Sequence, residues 1–271
     1  MNNSIIEKNY NIKILELLTE KDSYKIRTSN TNYDLVKVTK YELSLLLLNI
    51  NDRSRYRIKK TIKGSYYTYI NGNYYILIEL DNRSNISLYE VINELKAIDN
   101  QSPIDIVNKW QIKNDYLEEY LKNSNNELVI ETKDYYLGLA EQAIVIYKDS
   151  SNIYNEKVLC HKRIRKDNYR MPNNIVIDYK ERDIAEYIKY LIFIECLDEN
   201  EIIKIIDKNI INHYNLNLII SRLLYPSEYF DLIDESRGGV DINNKIINLI
   251  NKEKLRQKII FYINKKRVKT L

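Results

Sequence analysis

Two hydrophobic periods divide the chain. Over residues 11–80 the apolar positions form short runs rich in β-branched and aromatic residues, separated by turn-forming clusters. This pattern predicts strands at 11–18, 23–28, 33–39, 66–70 and 74–80. The breaks are Thr19-Glu20-Lys21-Asp22, Ser29-Asn30-Thr31-Asn32 and, between the last two strands, Asn71-Gly72-Asn73. Asn-Gly between two such runs is the strongest short-range hairpin signal. Tyr41–Asn51, with leucines at 43 and 45–48, reads as a short helix between the third strand and the hairpin. From Ser87 the period becomes helical. Ser87 with Glu90 forms a capping-box pattern, and Leu88, Val91, Ile92, Leu95 and Ile98 follow on one face. Further helical patterns cover 110–121, 135–147, 183–196, 199–214, 217–224 and 243–264. Residues 158–179 interrupt them, and the apolar run Asn174–Ile177 ending at Asp178 reads as a strand. The expected fold is α+β, with a small antiparallel β lobe over 1–84 and a larger, mainly helical lobe over 85–271. The stretch 84–90 is the natural hinge.

Composition narrows the class. The chain has 271 residues, 44% of them hydrophobic, so burial can offset chain entropy. Gly (5) and Pro (3) are scarce while Ile, Asn, Lys and Tyr are abundant, a bias that reads as an AT-rich genome rather than as function. Basic and acidic residues, 42 and 38, are interspersed and describe an ordinary solvated surface. The exception is Lys252, Lys254, Arg256, Lys258, Lys265, Lys266, Arg267 and Lys269, read here as the polar face of a terminal helix; nucleic-acid binding is not expected. Cys160 and Cys196 form no ligand pair and read as small buried thiols in a reducing compartment. No apolar run is long enough to span a bilayer, and residues 1–15 carry no signal-peptide pattern, so cytoplasmic synthesis is expected.

The chemistry concentrates in Leu159–Asp183. A β lobe followed by a helical lobe is the order of protein kinases and aminoglycoside phosphotransferases. Those enzymes carry His-x-Asp-x-x-x-x-Asn, then a short hairpin, then a metal-holding Asp. Here His161 stands at the His position, Arg163 at the catalytic Asp, Asn168 at the Asn and Asp178 at the metal-ligand position. Arg163 decides the reading, because a guanidinium accepts no proton at neutral pH. Lys37, on the third strand, matches the lysine that pairs with nucleotide phosphates. The loop before the second strand, Thr19–Ser23, has no glycine to let backbone approach phosphates. Glu42 follows the strand too soon to be a good partner for Lys37. Each residue also has a structural reading: His161 as a loop-holding histidine, Lys37 as a water-facing strand lysine, Asn168 as a chance match, Asp178 as a turn starter, Asp183 as a helix cap. Arg163, Arg165 and Lys166 crowd positive charge near Asp178, Glu181 and Asp183, which predicts ion pairs in the place of a metal.

The blocks Tyr135–Ile144 (YYLGLAEQAI), Leu159–Ile164 (LCHKRI), Asp178–Ile188 (DYKERDIAEYI) and Ser221–Ile233 (SRLLYPSEYFDLI), with the hairpin Tyr67–Leu80, resemble spore coat proteins of the CotS/YutH family. The resemblance covers residues 11–235 and implies a kinase-like fold associated with the coat of bacterial endospores. It implies synthesis in the mother-cell cytoplasm, deposition in the coat, and other coat proteins as partners. Combined with Arg163, it makes a catalytically inactive pseudokinase the expected function, with no catalytic residue and no cofactor. The alternative is a phosphotransferase or ATP-binding switch acting on a small molecule or coat protein. In that case Lys37, Asn168 and Asp178 would bind nucleotide, and Asn168 and Asp178 would hold Mg²⁺.

Overall fold

The computed structural model describes residues 3–20, 23–49, 57–79, 86–93, 97–98, 105–151, 156–169, 171–211 and 213–270. The expected 84/85 boundary and the middle of the loop at 21–22 lie outside these residues. The chain divides into two compact units, Met1–Ser87 with His161–Val176, and Leu88–Cys160 with Ile177–Leu271.

In the first unit a helix, α1 (Asn3–Tyr10), precedes the strands β1 (Glu16–Thr19), β2 (Ser23–Arg27) and β3 (Asn32–Val38). Helix α2 (Lys40–Asn49) and the strands β4 (Thr68–Ile70) and β5 (Asn73–Glu79) complete the order. The strands form an antiparallel sheet, β1-β2-β3-β5-β4. The β4–β5 connection is Asn71-Gly72, with φ of 48° and 81°. Positive φ at both central residues matches the right-handed strand twist, which is why Asn-Gly works here. The sequence pattern did not reveal α1, a helix of 8 residues. Ile6 and Tyr10 lie one turn apart and pack against Ile26, Leu35, Ile70 and Leu77. Tertiary burial, worth roughly 1.5–3 kcal/mol per large apolar side chain, supplies what eight residues of propensity cannot. Helix α2 opens with a reciprocal cap. The Glu42 carboxylate accepts from the Thr39 amide at 2.7 Å, and Thr39 Oγ1 accepts from the Glu42 amide at 3.2 Å. Its Leu43, Leu45 and Leu46 are buried, whereas Leu47 and Leu48 are exposed.

The second unit carries α3 (Leu88–Asn93), α4 (Ile106–Leu121), α5 (Glu127–Ser151), β6 (Lys157–His161), β7 (Ile175–Tyr179) and α6 (Glu181–Tyr190). A π-turn (Leu191–Glu195) is followed by α7 (Glu199–Asn209), α8 (Leu216–Leu224), α9 (Ser227–Arg237) and α10 (Asn243–Thr270). β6 and β7 pair in a two-stranded sheet, and the chain passes between the units at their ends. The helix expected to run from Ser87 to Ile98 ends earlier. Ala97 bridges Val158, and the Ile98 amide donates to the Lys157 carbonyl at 3.0 Å. The edge of β6 offers backbone groups that a helix could not satisfy. The 183–196 helix begins at Glu181 and ends in the π-turn, which leaves Cys196 exposed at φ 55° rather than buried. Cys160 is buried as expected. Asp198 and Glu201 form a capping box on α7, and α9 lies in the stretch 225–242, for which the sequence pattern predicts no element. Among the described residues, no helix is long and apolar enough to cross a membrane.

Candidate functional site

The kinase-like motif folds into two constellations, one in each unit. In the first, the loop after His161 is organised by Asn174, a residue the motif spacing does not single out. Asn174 Oδ1 accepts from the Arg163 amide at 3.0 Å. Its Nδ2 donates to the carbonyls of Arg163 (2.6 Å) and Asn168 (2.9 Å). One carboxamide thus closes both strands of the loop through its donor and acceptor ends. Asn168 is turned into the same network: its Oδ1, the atom a metal would need, accepts from the Arg165 amide at 3.1 Å. His161 is fully buried and its ring stacks on Tyr169, centroids 4.6 Å apart. Arg163 is partly exposed, and Nη1 reaches the Lys162 carbonyl at 3.5 Å.

Lys162 ties this loop to α2. Its ammonium pairs with Glu42 and donates to the Asn173 carbonyl at 2.8 Å. Glu42 is buried, and this acid, four residues after the strand, caps its own helix and serves the loop lysine. Lys37 is exposed on β3. By strand alternation it shares a face with Tyr33 and Leu35, both in the core that α1 covers. Asp34 sits on the other face. It is buried, and neither carboxylate oxygen has a hydrogen-bond partner. Burial pushes it up to about 6, partly countered by Lys25, its cross-strand partner.

In the second unit, Asp178 is fully buried at the end of β7. Every acceptor direction on it is taken. Oδ2 receives Arg222 Nη2 at 2.6 Å and Arg182 Nη1 at 2.9 Å. Oδ1 receives the Tyr179 amide at 2.8 Å and the Tyr147 hydroxyl at 3.3 Å. Burial alone would raise the carboxyl, but Arg222 and Arg182 outweigh it and hold it below the usual range. Arg222 sits in an aromatic enclosure, its guanidinium carbon 5.6 Å from the Trp110 ring and 5.2 Å from Tyr147. Trp110 stacks on Tyr225 at 4.1 Å. Burial raises the Tyr147 phenol, so it stays a neutral donor. Glu181 is buried and accepts from the Asn215 amide at 2.9 Å; Asp183 is fully buried at the start of α6. The cations on Asp178 are therefore Arg182 and Arg222, from α6 and α8, and not the loop cations Arg163, Arg165 or Lys166. One signal was available: Arg222 is a lone cation in the apolar run Leu216–Leu224. Sequence reading passed over it, along with Tyr147 and Trp110.

This arrangement does not fit Mg²⁺. The ion needs near-octahedral oxygens at about 2.0–2.1 Å, and Asp178 has no free lone pair to offer. A dication about 4 Å from a guanidinium is repelled by about 8 kcal/mol at an effective dielectric near 20, and Asp178 carries two guanidiniums. Among the described residues, no group of three His, Cys, Asp or Glu side chains is placed to hold a metal.

Comparison with known proteins places these features. Residues 103–237 match the family described as "Spore coat putative kinase YutH". Over these residues the chain is similar to the YutH spore coat family. The "Endospore coat-associated protein YutH" of Bacillus subtilis is 27% identical over 122 residues, covering 39% of this chain and 36% of that protein. The matched part is thus about a third of that relative's length. The fold extends further. An aminoglycoside phosphotransferase from Alicyclobacillus acidocaldarius superposes with a TM-score of 0.69 at 11% identity, covering 100% of this chain and 97% of that one. Choline kinase LicA from Streptococcus pneumoniae gives 0.57 at 11% identity, covering 96% and 98%. At such identities the likeness shows the fold alone. The fold is kinase-like, with an antiparallel β lobe and a mainly helical lobe, as the sequence predicts.

Proposed function

We propose that this chain is an endospore coat-associated protein that uses a kinase-like fold for assembly and does not transfer phosphoryl groups. One observation carries the reading: Asp178, at the metal-ligand position, has both oxygens committed to Arg182, Arg222, Tyr147 and the Tyr179 amide. Arg163 agrees with it, since a group that stays protonated cannot orient or deprotonate an acceptor hydroxyl. The B. subtilis relative is endospore coat-associated, which supports deposition of this protein in the coat; the same reading has it made in the mother-cell cytoplasm, with other coat proteins as partners. Its working lobes are residues 1–84 and 85–271.

The test is calorimetric titration with Mg²⁺-ATP beside incubation with labelled ATP and casein, coat extract or aminoglycosides. No saturable heat and no incorporated label are expected. Submillimolar binding, or turnover that disappears in Asp178→Ala, would overturn the proposal. Arg163→Asp alone is expected to stay inactive, because Asp178 remains paired.

A further inference from the structure

The basic C-terminal segment sorts into two sets once folded. Most of its cations bond within the protein. Lys252 caps the Phe193 carbonyl of the π-turn at 2.7 Å, and Arg256, itself buried, pairs with Glu253 at 2.8 Å. Lys258 pairs with Glu199 at 2.7 Å and Lys266 with Asp207 at 3.1 Å. Lys254 and Lys265 are exposed and carry no ion pair among the described residues. They flank Phe261, which is 71% exposed in a chain with only 3 phenylalanines.

These residues form a line. Ile247, Lys254, Phe261 and Val268 are spaced by sevens along α10, and Ile247, Phe261 and Val268 are all exposed. A heptad step drifts by only about 20° on a straight helix, so the four share one stripe, roughly 30 Å long. Beside it lies a groove of about 560 Å³ between α10 and the start of α7, lined by Glu199, Lys258, Phe261, Tyr262, Lys265 and Lys266, with Gln257 at its edge. Lys258 and Lys266 there are paired with Glu199 and Asp207, and Lys265 leaves the groove with a net positive charge around an apolar centre.

We propose that this stripe and groove dock an acidic amphipathic helix from a partner protein. Heptad-spaced apolar side chains of such a helix would seat beside Phe261 and along Ile247 and Val268, and its flanking carboxylates would meet Lys254 and Lys265. The charge favours an acidic occupant. The spacing favours a helix over other anions. A nucleic acid needs successive stacking rings along a phosphate track, whereas the exposed stripe holds one aromatic ring. A bilayer surface needs a broad apolar face, whereas this stripe is one residue wide and interrupted by Lys254. The surface lies on α7 and α10 and does not involve Asp178, so the inference stands apart from the question of phosphoryl transfer.

The experiment is fluorescence polarisation on the full chain with a labelled synthetic helix that has leucine at heptad spacing and glutamate flanks. The same helix with lysine flanks, vesicles containing phosphatidylglycerol and single-stranded DNA serve as competitors. Binding is expected for the acidic helix alone, weakening as salt is raised. Phe261→Ser and Lys254→Glu/Lys265→Glu should each weaken it about tenfold or more. Both changes lie on the exposed face, and unaltered circular dichroism and unfolding midpoints would show that the fold is intact. No binding of the acidic helix, equal binding by the Phe261→Ser protein, or capture of vesicles or DNA alone would overturn the proposal.

Discussion

Replacing Arg222 by Met tests the claim that an internal cation holds the place of a metal. The side chain is buried, and its guanidinium donates to Asp178 at 2.6 Å. Met keeps much of the volume facing Trp110 and Tyr147 but removes the charge. Asp178 would then be buried with Arg182 as its remaining cation. Breaking a buried pair by removing one partner typically costs about 3–5 kcal/mol, a large share of the roughly 5–15 kcal/mol that holds a domain folded. The sign with pH follows from the carboxyl. In the native protein Asp178 lies below its usual range, so its contribution is present above the unfolded carboxylate range and is lost as pH falls through the folded value. In the variant the carboxyl loses the larger of its two cationic neighbours, so its pKa moves up and protonation relieves part of the lost pairing. The deficit should therefore be largest at neutral pH and shrink on acidification. Trp110, the sole tryptophan, stacks in this enclosure and makes urea unfolding by fluorescence a direct readout. Asp178→Asn/Arg222→Met should recover part of the loss, with a coupling of about 2 kcal/mol or more. A loss below about 1 kcal/mol for Arg222→Met, or no coupling in the double variant, would refute the reasoning.

Two further outcomes follow from the first unit. Asp34 is raised to about 6 by burial, with Lys25 and Glu20 as the charged neighbours that modulate it. A raised carboxyl favours the folded state below its unfolded value and loses that contribution as pH climbs through about 6, so Asp34→Asn should be the more stable protein by about 1–2 kcal/mol at pH 7 and lose that advantage near pH 4; equal stability across the range would contradict this. Asn174→Ala removes the carboxamide bonds to Arg163 and Asn168. It should cost about 2–3 kcal/mol and speed amide exchange across 162–174, whereas unchanged exchange there would show that the loop is held by other contacts.

The sequence alone determined what local physics dictates. The hairpin, most strands and most helices were legible because side-chain period and turn chemistry are properties of neighbouring residues, as at Asn71-Gly72, whereas β1 starts only at Glu16 and β6 left no such signal. The residues of the kinase-like motif were legible for the same reason, since His161, Arg163, Asn168 and Asp178 keep fixed spacing on one segment. That Arg163 cannot accept a proton at neutral pH follows from its identity alone. What only the tertiary structure decided is who meets whom. Helix α1 forms because Ile6 and Tyr10 find strands far along the chain. The 183–196 helix breaks into a π-turn whose carbonyl is met by Lys252, 59 residues on from Phe193. Glu42 goes to Lys162, 120 residues away, and Asp178 to Arg222, 44 residues away. No local pattern encodes such pairings. A buried charge is stable only beside its counter-charge, and which counter-charge arrives is settled by how the helices pack.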